Sequence, residues 1–252
     1  MLEGPYFIRY SVEQMSDHQL VIQIDRLTNI PDLKMAASLY IEQPNIETWV
    51  KTLASLRSPK VYMAPNNSLA LWRPAYNSFS SSDELLKVVQ TDIEFINGIA
   101  SAIYGLQPVV ASGVWFRTET ALQLDLIATT SIYLKEIGSN FGRISEKSDE
   151  ELGILIGKCS ERVMTNNLLF DLLYWFSKSG KDWHANYCCA EAIIEMYGSE
   201  RNVPDNASFK AMKQTANLYR HLHSPSMKKP LTVHEAYCVL RRHVIDLLIR
   251  EA

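Results

Sequence analysis

The stretch SSDELLKVVQTDIEFINGIASAIY, residues 81–104, decides how this chain is read. Ser81 and Glu84 stand three apart ahead of an apolar run, the spacing at which a hydroxyl and a carboxylate satisfy orphan amides at a helix start. Leu85, Val88, Val89, Ile93, Ile96, Ile99, Ala100 and Ile103 then recur at helical spacing. Gly105 and Pro108 follow, where such a helix stops. This is a long helix, and the sequence on either side of it is of another kind.

Upstream, residues 1–75 read as strands. The segments 6–12, 20–25, 36–41 and 69–72 are apolar, partly alternating and short, and Pro31, Pro44, Pro59, Pro65 and Pro74 punctuate them. Residues 46–56 fit a short helix as well as a strand. Downstream, residues 109–116 and 120–134 are β-branched and aromatic, so strands return. Residues 1–140 are therefore expected to form an α+β domain, a mainly antiparallel sheet with a long helix packed on it.

Residues 138–148 are polar and rich in Gly and Ser, which marks a boundary. Beyond it the pattern is helical. Ser148 and Glu151 form a second cap signal, opening a segment apolar on most sides that Gly180 closes. Such a segment belongs in the middle of a bundle. Asp182 caps 183–197, with Gly198 after it. Asn206 caps a helix running to about His223, before Ser224-Pro225, and Thr232 with Glu235 opens the last. An antiparallel four-helix bundle over 149–252 is the expectation.

The formal net charge of −3 hides an asymmetry: residues 201–252 carry +5 and the first 200 carry −8. Four of the six histidines, His221, His223, His234 and His243, lie in the basic segment. Basic clustering on one element suits phosphate-bearing partners, and it also suits a solvated face whose counter-charge lies elsewhere in the chain.

The densest polar cluster is Asn217-Leu218-Tyr219-Arg220-His221-Leu222-His223. Arginine can clamp a phosphate bidentately and stabilise developing charge. Imidazole can move protons near neutral pH. Arg220, His221 and His223 are thus candidate catalytic residues. Asn217, Tyr219, Lys228, Lys229, Arg241 and Arg242 are candidate nucleic-acid contacts, Tyr219 as a stacking surface. The competing account is structural: cations at a helix C-terminus favourably meet its carbonyl end.

The region from Asp182 onward resembles HEPN-like helical domains. The resemblance rests on Asp182-Trp183-His184 with Tyr187 and Glu191, on Ala216-Asn217-Leu218-Tyr219-Arg220-His221, and on Lys229-Pro230-Leu231-Thr232-Val233-His234-Glu235-Ala236 leading into an Arg-rich helix. It covers about residues 149–252, as in two-part bacterial proteins with a sheet-rich front. It implies a bundle that dimerises. In active members it implies a metal-independent ribonuclease, of the kind found in defence and toxin–antitoxin systems, that pairs Arg and His across the dimer. The chain departs from the active pattern, because His221 and His223 follow Arg220 too closely. The alternative is a non-catalytic interaction or dimerisation module.

No cofactor and no metal are expected. His184 and Cys188, one helical turn apart, can serve as a ligand pair, but nothing in the spacing demands it, and free cysteines are common core residues. No P-loop, GxGxxG, HExxH or GxSxG pattern occurs. The four cysteines, Cys159, Cys188, Cys189 and Cys238, fall in no disulfide or CxxC spacing. Residues 1–6 lack the basic start and apolar run of a signal peptide, and no stretch is long and apolar enough for a membrane span. A cytoplasmic protein is expected, with RNA or a nucleotide as partner and a second copy or another protein on the bundle.

Overall fold

The computed structural model describes residues 24–41, 46–126, 147–221 and 230–252, with only the backbone of His221. The expected strands 6–12 and 20–23 and the boundary segment up to residue 146 lie outside the described residues. The chain has an α+β fold, with a five-stranded antiparallel sheet toward the N-terminus and helices toward the C-terminus. It divides into two compact units.

The first unit holds β1 (Met35–Tyr40), α1 (Ile46–Ala54), β2 (Lys60–Met63), β3 (Leu69–Trp72), the first turns of α2 (Ser82–Tyr104), β4 (Val110–Arg117) and β5 (Leu122–Leu126). The strand order is β2-β3-β1-β4-β5, with every pairing antiparallel. β1 is central, and its residues Ala36 to Leu39 are all buried, so neither face of it meets solvent. One cluster gathers Leu27, Ile30, Leu33, Ala36, Ala64, Ala70 and Trp115. Asn77 staples the loop before β1: its side chain accepts from Lys34 N at 2.9 Å and donates to Asp32 O at 2.6 Å. The ambiguous segment 46–56 is helical, since Trp49, Thr52 and Leu53 fall on one buried face.

At the start of α2, Ser81 Oγ accepts from Glu84 N at 3.3 Å, as the spacing predicts. The Glu84 carboxylate reaches back to Ser80, accepting from its N and Oγ, so the reciprocal half of the box is shifted by one residue.

The second unit takes the later part of α2, from Thr91, with the residues that follow it to Pro108, together with Ser55–Ser58 and the C-terminal helices. The units therefore interleave in sequence. The cause is the length of α2. Its later residues pack with the bundle: Phe95 meets Phe170 edge-on at 6.3 Å, and Ser101 hydrogen-bonds Tyr237.

Among the described residues five helices follow where four are expected: α3 (Asp149–Val163), α4 (Asn167–Lys178), α5 (Trp183–Tyr197), α6 (Asn206–His221) and α7 (Val233–Glu251). The segment read as one helix breaks at Asn166. Its side chain accepts from Leu169 N at 3.1 Å, capping α4, while Thr165 Oγ1 bonds back to Arg162 O at 3.1 Å. The full capping boxes predicted at Ser148–Glu151 and Thr232–Glu235 are both formed. Asp182 caps α5, and Gly198 ends it in the left-handed conformation at φ 78°. The middle of the bundle belongs to α7 rather than to the α3–α4 segment. Tyr237, Leu240, Val244, Leu247 and Leu248 are buried, and α7 packs on α3, α4, α5 and α6. Phe170, Tyr174 and Trp175 keep one side of α4 only half-buried.

Candidate nucleic-acid interface

The described candidate residues that stay at the surface together, Asn217, Tyr219 and Arg220, lie on α6 of the second unit, beside α5. Asp182 accepts from His184 N at 3.0 Å and Ala185 N at 3.3 Å, which fixes the phase of α5. Ala185, Asn186, Cys189, Ala190 and Ile193 then face the core, and Trp183, His184, Tyr187 and Cys188 are left wholly or partly at the surface. On α6 the buried residues are Phe209, Met212, Thr215 and Ala216. That phase leaves Asn217, Tyr219 and Arg220 exposed at the end of the helix.

Two contacts join the helices there. Tyr219, 46% exposed, stacks on Trp183 with ring centroids 4.7 Å apart and planes within 13°. The Arg220 guanidinium lies over the Tyr187 ring at 3.9 Å from its centroid. An aromatic stack and a stacked guanidinium thus stand side by side. A base can extend a stack of the first kind, and a guanidinium is a planar cation suited to a phosphate.

The other basic candidates are placed differently. Arg241 is half-buried and donates to Ala102 O at 2.9 Å and Ile103 O at 3.4 Å, the carbonyl end of α2. Burial lowers its pKa, and its donors are directed to that helix end. Arg242 is exposed and pairs with Asp205 at 3.5 Å. Lys213 sits between Glu191 at 2.8 Å and Glu200 at 3.1 Å. Arg242 is thus paired inside the C-terminal segment, and Glu191 and Glu200, which lie outside it, offset part of its +5 charge at Lys213. The side chains of His221, His223, Lys228 and Lys229 lie outside the described residues.

Sequence reasoning missed Trp183 and Tyr187 as the partners of Tyr219 and Arg220. The available signal was their spacing: residues 183 and 187 are one turn apart, so they share a face of α5.

His184 and Cys188 do come together, with Nε2 and Sγ 3.6 Å apart, and Trp175 meets the His184 ring edge-on at 5.7 Å. Among the described residues no group of three or more His, Cys, Asp or Glu side chains is arranged to hold a metal ion. Cys159 is unsuited to nucleophilic or ligand chemistry, since burial pushes its thiol up to about 12.

His243 is a core residue, 3% exposed, with its ring edge-on to Phe209 at 5.2 Å and Nδ1 unpartnered. Burial lowers its pKa below the usual 6.5, Arg242 adds to that, and Asp246 and Asp205 oppose it. As pH falls through 6.5 the unfolded chain takes up the proton before the folded one does. The stabilisation from keeping this imidazole neutral is thus complete above 6.5 and is lost below it. Thermal unfolding of His243→Leu across that range should show a shallower acid limb than wild type. An unchanged limb would assign the acid sensitivity elsewhere.

No protein-family model, curated protein or solved structure matches the chain. Among the described residues no helix is long and apolar enough to cross a membrane.

Proposed function

We propose that the protein binds RNA through the α5–α6 face, as a HEPN-like protein of the cytoplasm. The observation that carries this reading is the exposed Trp183–Tyr219 stack beside the Arg220 guanidinium on Tyr187. Stacking tolerates any base, so the favoured ligand is single-stranded, and a duplex, whose bases already stack on one another, is bound less well. A free nucleotide presents the same base and phosphate and is the minimal ligand.

The HEPN-like resemblance adds catalysis of a defence or toxin–antitoxin type. In that reading Asn217 orients the site and Arg220 holds the scissile phosphate. His221 or His223 takes the proton of the ribose 2′-hydroxyl as that oxygen bonds to phosphorus, the P–O5′ bond breaks to leave a 2′,3′-cyclic phosphate, and the histidine that took the proton, or the other one in its protonated form, gives a proton to the departing 5′-oxygen. A second copy of the bundle completes the site.

The structural alternative has one observation in its favour. Arg241, Arg242 and Lys213 are all engaged within the chain, which suits a dimerisation or docking module whose Arg-His cluster ends a helix.

Binding of labelled single-stranded RNA across a salt series separates these readings. RNA binding predicts affinity that falls steeply with salt and is higher for single strands than for duplex. Cleavage that persists in chelator and disappears in Arg220→Ala and His223→Ala identifies a ribonuclease. Binding without cleavage identifies a non-catalytic member. Neither binding nor cleavage would overturn the RNA reading and leave the docking module.

A further inference from the structure

The His184–Cys188 pair has a geometry the RNA reading does not use. Both residues lie on the outer face of α5, one turn apart, with His184 exposed and Cys188 half-buried. Their donor atoms, Nε2 and Sγ, are 3.6 Å apart. A tetrahedral zinc ion with Zn–S of about 2.3 Å and Zn–N of about 2.05 Å sets its sulfur and nitrogen ligands about 3.6 Å apart. The two atoms, which are also within hydrogen-bond reach of each other, thus stand at the edge length of a zinc coordination tetrahedron.

The surroundings support the fit. The edge-on contact with Trp175 packs against the imidazole and limits its rotation. Asp182 and Glu191 lie near enough to act on the Cys188 thiol, although Asp182 caps the start of α5 and Glu191 is paired with Lys213. Burial pushes that thiol up, while the Arg220 guanidinium draws it down and so favours the thiolate. Arg220 also repels a second cation, although its charge is partly occupied by the Tyr187 ring.

We propose that His184 and Cys188 together bind a thiophilic divalent cation of the zinc class on the outer face of α5. The thiol gives up its proton to become the metal-bound thiolate, and Nε2 donates its lone pair. The chain supplies two donors, and water or another oxygen ligand takes the remaining positions. This site does not depend on the RNA reading and is tested without RNA.

Cobalt(II) is a direct probe, because a thiolate bound to it gives a charge-transfer band in the near ultraviolet. Titrating the full, reduced chain with cobalt(II) should raise this band, and added zinc should bleach it. Binding should strengthen as pH rises, since a proton is displaced from a thiol whose burial resists ionisation. Cys188→Ser should abolish the band and His184→Ala should weaken binding more than about tenfold. Cys238→Ser, which changes a half-buried thiol elsewhere, should leave both unchanged. Thermal unfolding of each variant establishes that the bundle is intact. Zinc should also protect one thiol per chain from alkylation, identified by peptide mapping as Cys188. Absence of the band, its survival in Cys188→Ser, or protection of a different cysteine would overturn the proposal.

Discussion

Gly98→Ala is expected to destabilise the helical unit by about 3 kcal/mol, near the upper end for overpacking a well-filled core. Gly98 lies on α2 where it meets α4. A Cβ built there would stand 2.4 Å from Leu173 O, 2.9 Å from its carbonyl carbon and 3.0 Å from its Cα. All three atoms are backbone, so no rotamer change relieves the clash, and α2 must move away from α4. That movement loosens Phe95 from Phe170 and strains the Ser101–Tyr237 hydrogen bond. Alanine otherwise favours a helix interior by about 1 kcal/mol over glycine, so a close approach is the one circumstance in which this substitution should harm. Urea unfolding of the variant measures the effect. A stability equal to or above wild type would show that α2 and α4 do not meet this closely.

Tyr219→Ala combined with Arg220→Ala is expected to lower affinity for single-stranded RNA by at least about thirtyfold. Base–aromatic stacking contributes about 1–3 kcal/mol by alanine substitution, so the Tyr219 ring alone is worth roughly 2 kcal/mol if a base extends its stack on Trp183. Arg220 adds a phosphate contact, whose loss should also make the salt dependence shallower by about one charge. Both side chains are exposed, so the fold should survive with a small loss, chiefly from the broken Trp183–Tyr219 and Arg220–Tyr187 contacts. Tyr219→Phe keeps the ring and should bind nearly as wild type. Fluorescence anisotropy with a labelled single strand reads all three. A double variant that binds as tightly as wild type would remove this face from RNA recognition. In contrast, Arg241→Ala should affect stability before binding, because its donors serve the end of α2.

Much of the local structure is legible in the residues themselves. Asp182, Ser148 and Thr232 announce their helices because capping is a contact within one turn. β3 follows from its unbroken apolar composition, and the long α2 from its helical period. The errors also have local causes. Asn166 is a weaker stop signal than Gly or Pro, and the apolar pattern of 152–176 runs through it, so two helices read as one. β2, at Lys60–Met63, is as short as β3 but opens on a lysine, so it lacks the unbroken apolar run that marks Leu69–Trp72.

The candidate site was half legible. Asn217, Tyr219 and Arg220 stand out as a polar run at the end of a basic helix. What they touch does not. Tyr219 meets Trp183, and Arg220 meets Tyr187, across two helices separated by more than a turn of chain. Arg241 and Arg220 are equivalent in a count of charge, yet one serves helix carbonyls and the other lies over an aromatic ring at the surface.

The residue order by itself determined the α+β class, the places where helices begin, and a basic, histidine-rich C-terminal segment. These depend on interactions within a few residues and on apolar periods that each element carries alone. Tertiary structure decided which unit owns the later turns of α2, which helix sits at the centre of the bundle, and which cations are neutralised. It also set the 3.6 Å separation of His184 Nε2 and Cys188 Sγ. Those depend on side chains distant in sequence competing for the same space and the same polar partners, and only the folded chain fixes which of them meet.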